Sequence, residues 1–317
     1  MGLGYHMVEA LIRERQHRAI GGDVMLIGRQ TVYFRPEAIL SLLSEHRVDV
    51  SGLEVRDIEI DRSTTSRHAS FANQELITDA ALFRLLGAPK VIALDHSDYE
   101  GAEIVHDLTQ PIPDRLRGCA DFIVDGSTLD NVFDPVMVIS NFAEMLRPGG
   151  RLITINAYSN HNEPYVILPP LWYLDFFTVN RFLDCKVYIV AYGTDMTPTD
   201  IFTIDTDRLM DPTKFVSAFK SDRMMGVIVL AEKGVESTSS VRPTQQHYRS
   251  PSDWSIYRDN LSVIRKHPRP HLVRSKELIS VDDVQGGHLF IASDFTQRDP
   301  GTEIKHRKRQ HEVGSPQ

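Results

Sequence analysis

The sequence predicts an α/β fold, a doubly wound and mostly parallel sheet with helices on both faces. Two observations predict it. Short apolar runs alternate with stretches of helical periodicity between residues 24 and 231. Strands joined through helices run parallel, and the crossover helices cover both faces of the sheet. Successive apolar runs also end in Gly or Asp, at Gly28, Asp95, Asp107 and Asp125. In such a sheet the ligand sits beyond the carboxyl ends of the strands, where the strand order reverses. A single Asp after a strand is commonly a turn or helix-cap residue. Four such positions in consecutive units point to a shared site.

The first strand is Val24-Met25-Leu26-Ile27, ending at Gly28-Arg29-Gln30. After Thr31-Val32-Tyr33-Phe34, Pro36 suits the first position of a helix, where its missing N–H has no intrahelical partner to lose. Ala38, Ile39, Leu42 and Leu43 give that helix its apolar stripe. Residues 48–70 read as a strand or an extended loop, from Val55, Ile58 and Ile60. A helix is expected over 74–86, with Leu76, Ile77, Ala80, Ala81 and Leu85 on one face and Gly87 as its stop. Short strands follow at 90–94, 102–106 and 121–124. Asp134-Pro135 opens the next helix, with Val138, Ile139, Phe142, Met145 and Leu146 at helical spacing, and Pro148-Gly149-Gly150 lies beyond its end. A strand at 151–155, an aromatic-rich helix at 171–183 and strands at 186–191 and 225–231 complete the pattern. The last two strands flank a polar stretch and a helix near 212–220.

The chain has 317 residues, 41% apolar and 25% charged, an ordinary composition for one large domain or two small ones. Its formal net charge is -8, with no broad basic stretch through the middle, which argues against a nucleic-acid partner. Cys119 and Cys185 are the two cysteines. Neither belongs to a CxxC pair or a Cys/His cluster, so no metal is expected, and two buried thiols suit a reducing compartment. Glu9, Arg13, Glu14 and Arg15 interrupt the apolar core that a signal peptide needs. No apolar run is long enough to span a bilayer, so the expected address is cytoplasmic, with no membrane partner. From Val235 the composition changes, dividing the chain into a domain over 1–234 and an extension over 235–317. The extension holds a helix over 252–266, with Trp254, Tyr257, Leu261 and Ile264 on one side, a last strand near 286–291 and a basic, solvated end at 305–309.

The stretch from Val24 to Ala231 resembles class I S-adenosylmethionine (SAM)-dependent methyltransferases. The resemblance is carried by Val91-Ile92-Ala93-Leu94-Asp95, by His106-Asp107-Leu108-Thr109-Gln110-Pro111-Ile112-Pro113 and by Asp121-Phe122-Ile123-Val124-Asp125-Gly126. Glu144-Met145-Leu146-Arg147-Pro148-Gly149-Gly150-Arg151-Leu152-Ile153 completes it. The resemblance implies a seven-stranded, Rossmann-like sheet whose last two strands form a hairpin. It also implies a cofactor site of Gly28, Arg29, Gln30, Asp95, His96, Asp107, Leu108, Asp125 and Gly126. In that site Asp95 takes the ribose hydroxyls, Asp107 and Leu108 flank the adenine, and Asp125 and Gly126 lie near the methionine end. The first loop departs from the family pattern. It reads Gly28-Arg29-Gln30-Thr31-Val32 where several glycines are usual. Either Arg29 or Gln30 replaces backbone contacts to the methionine carboxylate, or the site has lost affinity and the chain is an inactive binding protein.

Methyl transfer from a sulfonium needs mainly an acceptor held in line with the methyl carbon. A hydroxyl acceptor benefits from a base. His161, after the strand at 151–155, is the first expectation, with Asp125 as a second catalytic group and His106 behind them. Asp125 with Asp130-Asn131 gives only a weak Mg²⁺ pattern, since all come from one loop. The expected substrate is a small molecule, a saccharide precursor among the choices, with residues 165–173 forming the acceptor pocket or packing the helix. A homodimer is compatible with the sequence. A NAD-dependent oxidoreductase is the rival class. An acidic residue after the second strand suits NAD equally, but the Gly-x-Gly-x-x-Gly turn is missing.

Overall fold

The computed structural model describes residues 2–62, 74–159, 164–192, 198–204, 224–269, 278–279 and 291–292. The chain begins with β1 (Gly2–Leu3), α1 (Tyr5–His17), β2 (Val24–Ile27), β3 (Thr31–Val32), α2 (Pro36–Glu45) and α3 (Asp79–Leu85). It continues through β4 (Val91–Asp95), β5 (Ile104–Val105), β6 (Ala120–Gly126), α4 (Pro135–Met145), β7 (Leu146–Ser159) and α5 (Pro170–Val179). It ends with β8 (Asp184–Tyr192), β9 (Pro198–Ile204), β10 (Met225–Glu232), α6 (Pro251–Lys266), β11 (Leu278–Ile279) and β12 (Ile291–Ala292).

The central sheet has the order β8-β10-β7-β6-β2-β4-β5. The pairs β4–β5, β2–β4, β2–β6 and β6–β7 are parallel. β10 enters between β7 and β8 and is antiparallel to both. This is the expected seven-stranded sheet with its terminal hairpin. It is longer at one edge than expected, because β9 adds antiparallel to β8 and the short β12 and β11 follow.

Alternation along the strands feeds two cores, because successive side chains point to opposite faces. Leu26, Ala93, Val124 and Ile153 face α1, α2 and α3, where Leu11, Ile39 and Phe83 are buried. Met25, Ile27, Leu94, Ile123 and Leu152 face the other way, toward Phe142 of α4, Phe177 of α5 and Tyr257 of α6. Local chemistry sets several helix starts. The Asp134 side chain accepts from Met137 N at 2.9 Å, with Pro135 at the first helical position. Ser250 and Asp253 form a reciprocal capping box at the start of α6.

Several expectations are corrected. α3 starts at Asp79, five residues late, because Thr78 Oγ1 accepts from Ala81 N and caps it there. Leu76 and Ile77 are buried, but in extended chain, with Ile77 bridged to Ile60. Ala38 is exposed and leaves the stripe of α2 to Ile39, Leu42 and Leu43. Leu146 begins β7 instead of ending α4, and Lys233 Nζ donates to the Ala143 and Leu146 carbonyls at that helix end. The aromatic helix α5 ends at Val179, short of 183. The N-terminal helix α1 was not expected at all. The helix near 212–220, His161 and the basic end at 305–309 lie outside the described residues. Among the described residues no helix is long and apolar enough to cross a membrane.

Candidate active site

Register brings the predicted strand ends together. Ile27 is level with Leu94 on β4 and with Asp125 on β6, and Leu94 is level with Ile104 on β5. The chain leaves β2 toward β4 and β5 on one side and returns through β6 and β7 on the other, so the order reverses at β2. A cleft of about 590 Å³ opens there. Ile27, Gly28, Leu94, Asp95, His96, His106, Asp107, Leu108 and Thr109 line one part of it. Thr128, Asn131, Val132, Phe133 and Tyr165 line the other.

Gly28 has a φ of 71°, a conformation that an L side chain strains to reach, and its N–H donates to the Leu94 carbonyl at 2.7 Å. Gly28→Ala is expected to cost about 1–2 kcal/mol through the left-handed backbone alone. Urea unfolding checks this, and a variant as stable as the parent would show that the loop relaxes. Asp95 ends β4 half-buried, with Oδ1 accepting the His96 N–H at 2.5 Å. Asp107 is held by Thr109, whose hydroxyl and N–H both donate to Oδ1, at 2.7 and 2.9 Å. Those bonds, the hydroxyl's first, hold its carboxyl below the usual carboxylate range. Leu108 is buried at the cleft wall. His106 lies on the same wall, and its Nε2 is buried without a hydrogen-bond partner.

Four predicted site residues do not line the cleft. The Gln30 side chain turns inward, and Nε2 donates to the Ile27 and Gly28 carbonyls at 2.7 and 3.2 Å. It occupies the space beside Gly126, where an added Cβ would meet Gln30 Oε1 at 2.0 Å. Arg29 pairs with Asp79 at 3.1 Å and with Glu103 at 3.7 Å. Asp125 is 0% exposed. Its Oδ1 accepts the Thr128 N–H at 2.8 Å and its Oδ2 the Thr154 hydroxyl at 2.6 Å. Burial pushes its pKa up to about 6 against those bonds. Asp125 thus ties the loop after β6 to β7 from beneath the site. Asp130 is also spent internally, on the Ser127 hydroxyl, the Asn131 amide and the Ala157 N–H. Among the described residues no group of three His, Cys, Asp or Glu side chains is placed to hold a metal ion.

Sequence reading missed Thr109, Thr128 and Phe133. Thr109 carried a signal, two residues after Asp107, as in an Asx turn. Phe133 carried one too, as an aromatic residue just ahead of the Asp134 cap and outside the stripe of α4.

The strand order, the reversed β10 and a cleft at the switch point define a class I methyltransferase-type α/β fold. No family model matches the chain, and no curated protein matches it in sequence. Solved structures are similar. One is the CMeT domain of the citrinin polyketide synthase, 12% identical over 48% of this chain and 41% of that one, with a TM-score of 0.31. Another is the trans-methyltransferase CalH in complex with SAH, 10% identical over 71% and 54%, with a TM-score of 0.33. A third is the YcgJ protein from Bacillus subtilis, 9% identical over 73% and 99%, with a TM-score of 0.33. The chain spans about half the length, or less, of the first two. Likeness of this degree concerns the fold, and the fold stands here on strand order and register.

Proposed function

We propose that the chain is a SAM-dependent methyltransferase acting on the oxygen of a small-molecule acceptor. The observation that carries this reading is the pair of carboxylates at neighbouring strand ends, Asp95 and Asp107, beside the left-handed Gly28. Their chemistry fits the cofactor's parts. Asp95, with Oδ1 taken by His96, keeps Oδ2 for the ribose hydroxyls. Asp107, with Oδ1 taken by Thr109, keeps Oδ2 for the adenine amine, and Leu108 offers the ring an apolar surface. When bound, SAM supplies an electrophilic methyl on a sulfonium.

Charge and backbone support SAM over NAD. Among the described residues the cleft lining includes Asp95 and Asp107 and neither Lys nor Arg. That field favours a sulfonium over a diphosphate. A dinucleotide also needs a glycine-rich turn leading into a helix. Here the chain after Gly28 enters β3, and α2 starts only at Pro36. In this reading Gln30 and Arg29 shape the first loop, and Asp125 and Gly126 position the loop carrying Thr128. His161 is the proposed base, with His106 as the alternative.

Calorimetric titration tests the proposal. SAM should bind and NAD should not. Asp95→Ala should weaken SAM binding by about 1.5–3 kcal/mol, roughly 10- to 150-fold in Kd, by removing charge-assisted hydrogen bonds. Unchanged affinity in a folded variant would take Asp95 out of the site. Binding of NAD alone would replace the methyltransferase reading with an oxidoreductase.

A further inference from the structure

We infer that the methyl acceptor is a planar ring compound bearing a hydroxyl or amine hydrogen, received on an aromatic platform made by Phe133 and Tyr165. This rests on the methyltransferase reading of the same cleft. The two rings stand 4.7 Å apart between centroids and are tilted by 38°. They come from different segments that are latched together, since Val166 N donates to the Asp130 carbonyl at 3.2 Å. Both rings line the cleft, and both are open to water, Phe133 by 85% and Tyr165 by 65%. Among the described residues Phe34, Phe83, Phe122, Phe142, Phe176, Phe177 and Phe182 are all buried. Two neighbouring uncovered rings at a cleft mouth are therefore a surface with a use, not leftover core.

The polar groups beside the platform choose the occupant. Both Asn131 Nδ2 hydrogens are spent, on the Ser127 carbonyl at 2.7 Å and Asp130 Oδ1 at 2.9 Å. Asn131 therefore has only Oδ1 to offer, an acceptor that calls for a donor on the ligand. The Asp130 carboxylate is buried and occupied by the Ser127 hydroxyl of the loop and the Ala157 N–H of β7, and Val132 adds an apolar wall. A saccharide carries a hydroxyl on nearly every carbon, and this wall cannot re-pair so many stripped of water. A flat ring loses little hydration and gains stacking on Phe133 and Tyr165.

The test uses umbelliferone, a planar phenol, and methyl glucoside as probes, with SAH binding measured in parallel by calorimetry. Umbelliferone fluorescence should titrate saturably with the SAH-loaded protein, and methyl glucoside should leave no binding heat. Phe133→Ala and Tyr165→Ala should weaken umbelliferone at least tenfold, and Tyr165→Phe should stay near the parent. All three should keep the parent's melting curve and SAH affinity, because both side chains are exposed. Loss of SAH affinity in the alanine variants would overturn the inference by making the rings a cofactor wall. Saturable methyl glucoside binding without umbelliferone binding would overturn it in favour of a sugar. Umbelliferone binding that Phe133→Ala and Tyr165→Ala leave unchanged would put the ring elsewhere. A parent that binds umbelliferone but no SAH would sink the methyltransferase reading and leave the platform standing.

Discussion

Arg269→Ala is expected to cost about 3–5 kcal/mol of folding stability, since three buried carboxylates each lose a charge-assisted hydrogen bond of about 1.5–3 kcal/mol, partly offset by the cations that remain. Its side chain is 1% exposed. Nε donates to Asp184, one terminal nitrogen to Glu14, and the other to Glu232 at 3.2 Å. Each carboxylate has a second cation. Arg151 reaches Glu14 at 2.5 Å, Lys186 reaches Asp184 at 2.7 Å and Arg18 reaches Glu232 at 3.0 Å. Those partners keep the charges balanced, but each carboxylate would lose a hydrogen bond in a place that water does not reach. The cluster also joins α1, β8 and β10 to the extension beyond Gly234. A chain ending at Gly234, the proposed end of the domain, loses Arg269 together with Tyr257, Leu261 and Ile264 from the core. It is expected to lose cooperative unfolding. Urea denaturation followed by circular dichroism reads both effects. A loss within about 1 kcal/mol for Arg269→Ala would mean that the cluster behaves like a hydrated surface pair.

Asp125 carries the second large expectation, on pH. Burial pushes its carboxyl from 3.8 up to about 6 in the fold. A folded pKa above the unfolded one means that the proton favours the fold. That stabilisation is complete below the unfolded value and is lost as pH rises through the folded one. The shift corresponds to about 2 kcal/mol between pH 4 and pH 7, because at pH 4 the unfolded carboxyl is already partly ionised. Asp125→Asn keeps a carbonyl oxygen for the Thr128 N–H and has no charge to bury. The parent should therefore lose about 2 kcal/mol more than the variant over that window. Comparing the two cancels carboxylates of opposite habit, such as Glu9, which His46 and Arg13 pull down to about 2 against the effect of burial. Parallel pH profiles for parent and variant would show that Asp125 stays charged, or is hydrated, in the fold.

Much of the strand-end wall of the cleft was legible because of where strands stop. An apolar run ends where the sheet ends, so Gly28, Asp95 and Asp107 could be set at one edge from sequence alone. The opposite wall was not legible. Phe133 and Tyr165 are 32 positions apart and meet through one backbone hydrogen bond, from Val166 to Asp130. The inward turn of Gln30 was not legible for a related reason. A polar side chain after a strand suits a ligand, but Gly126 on the neighbouring strand leaves a space that only Gln30 fills.

The order of strands and helices, the helix caps at Asp134 and Ser250 and the two-faced core were set by local pattern. Apolar period and capping chemistry act within a few residues, and the chain itself carries them. Tertiary structure alone decided α1, whose buried face includes Glu14. A glutamate on a core face breaks the apolar stripe, and it is tolerated only because Arg151 and Arg269 arrive from far along the chain. The inward turn of Asp125 was decided the same way, by Thr154 on the next strand. Both are charged groups withdrawn from water, and the cost of that withdrawal is offset by partners that no local window of sequence contains.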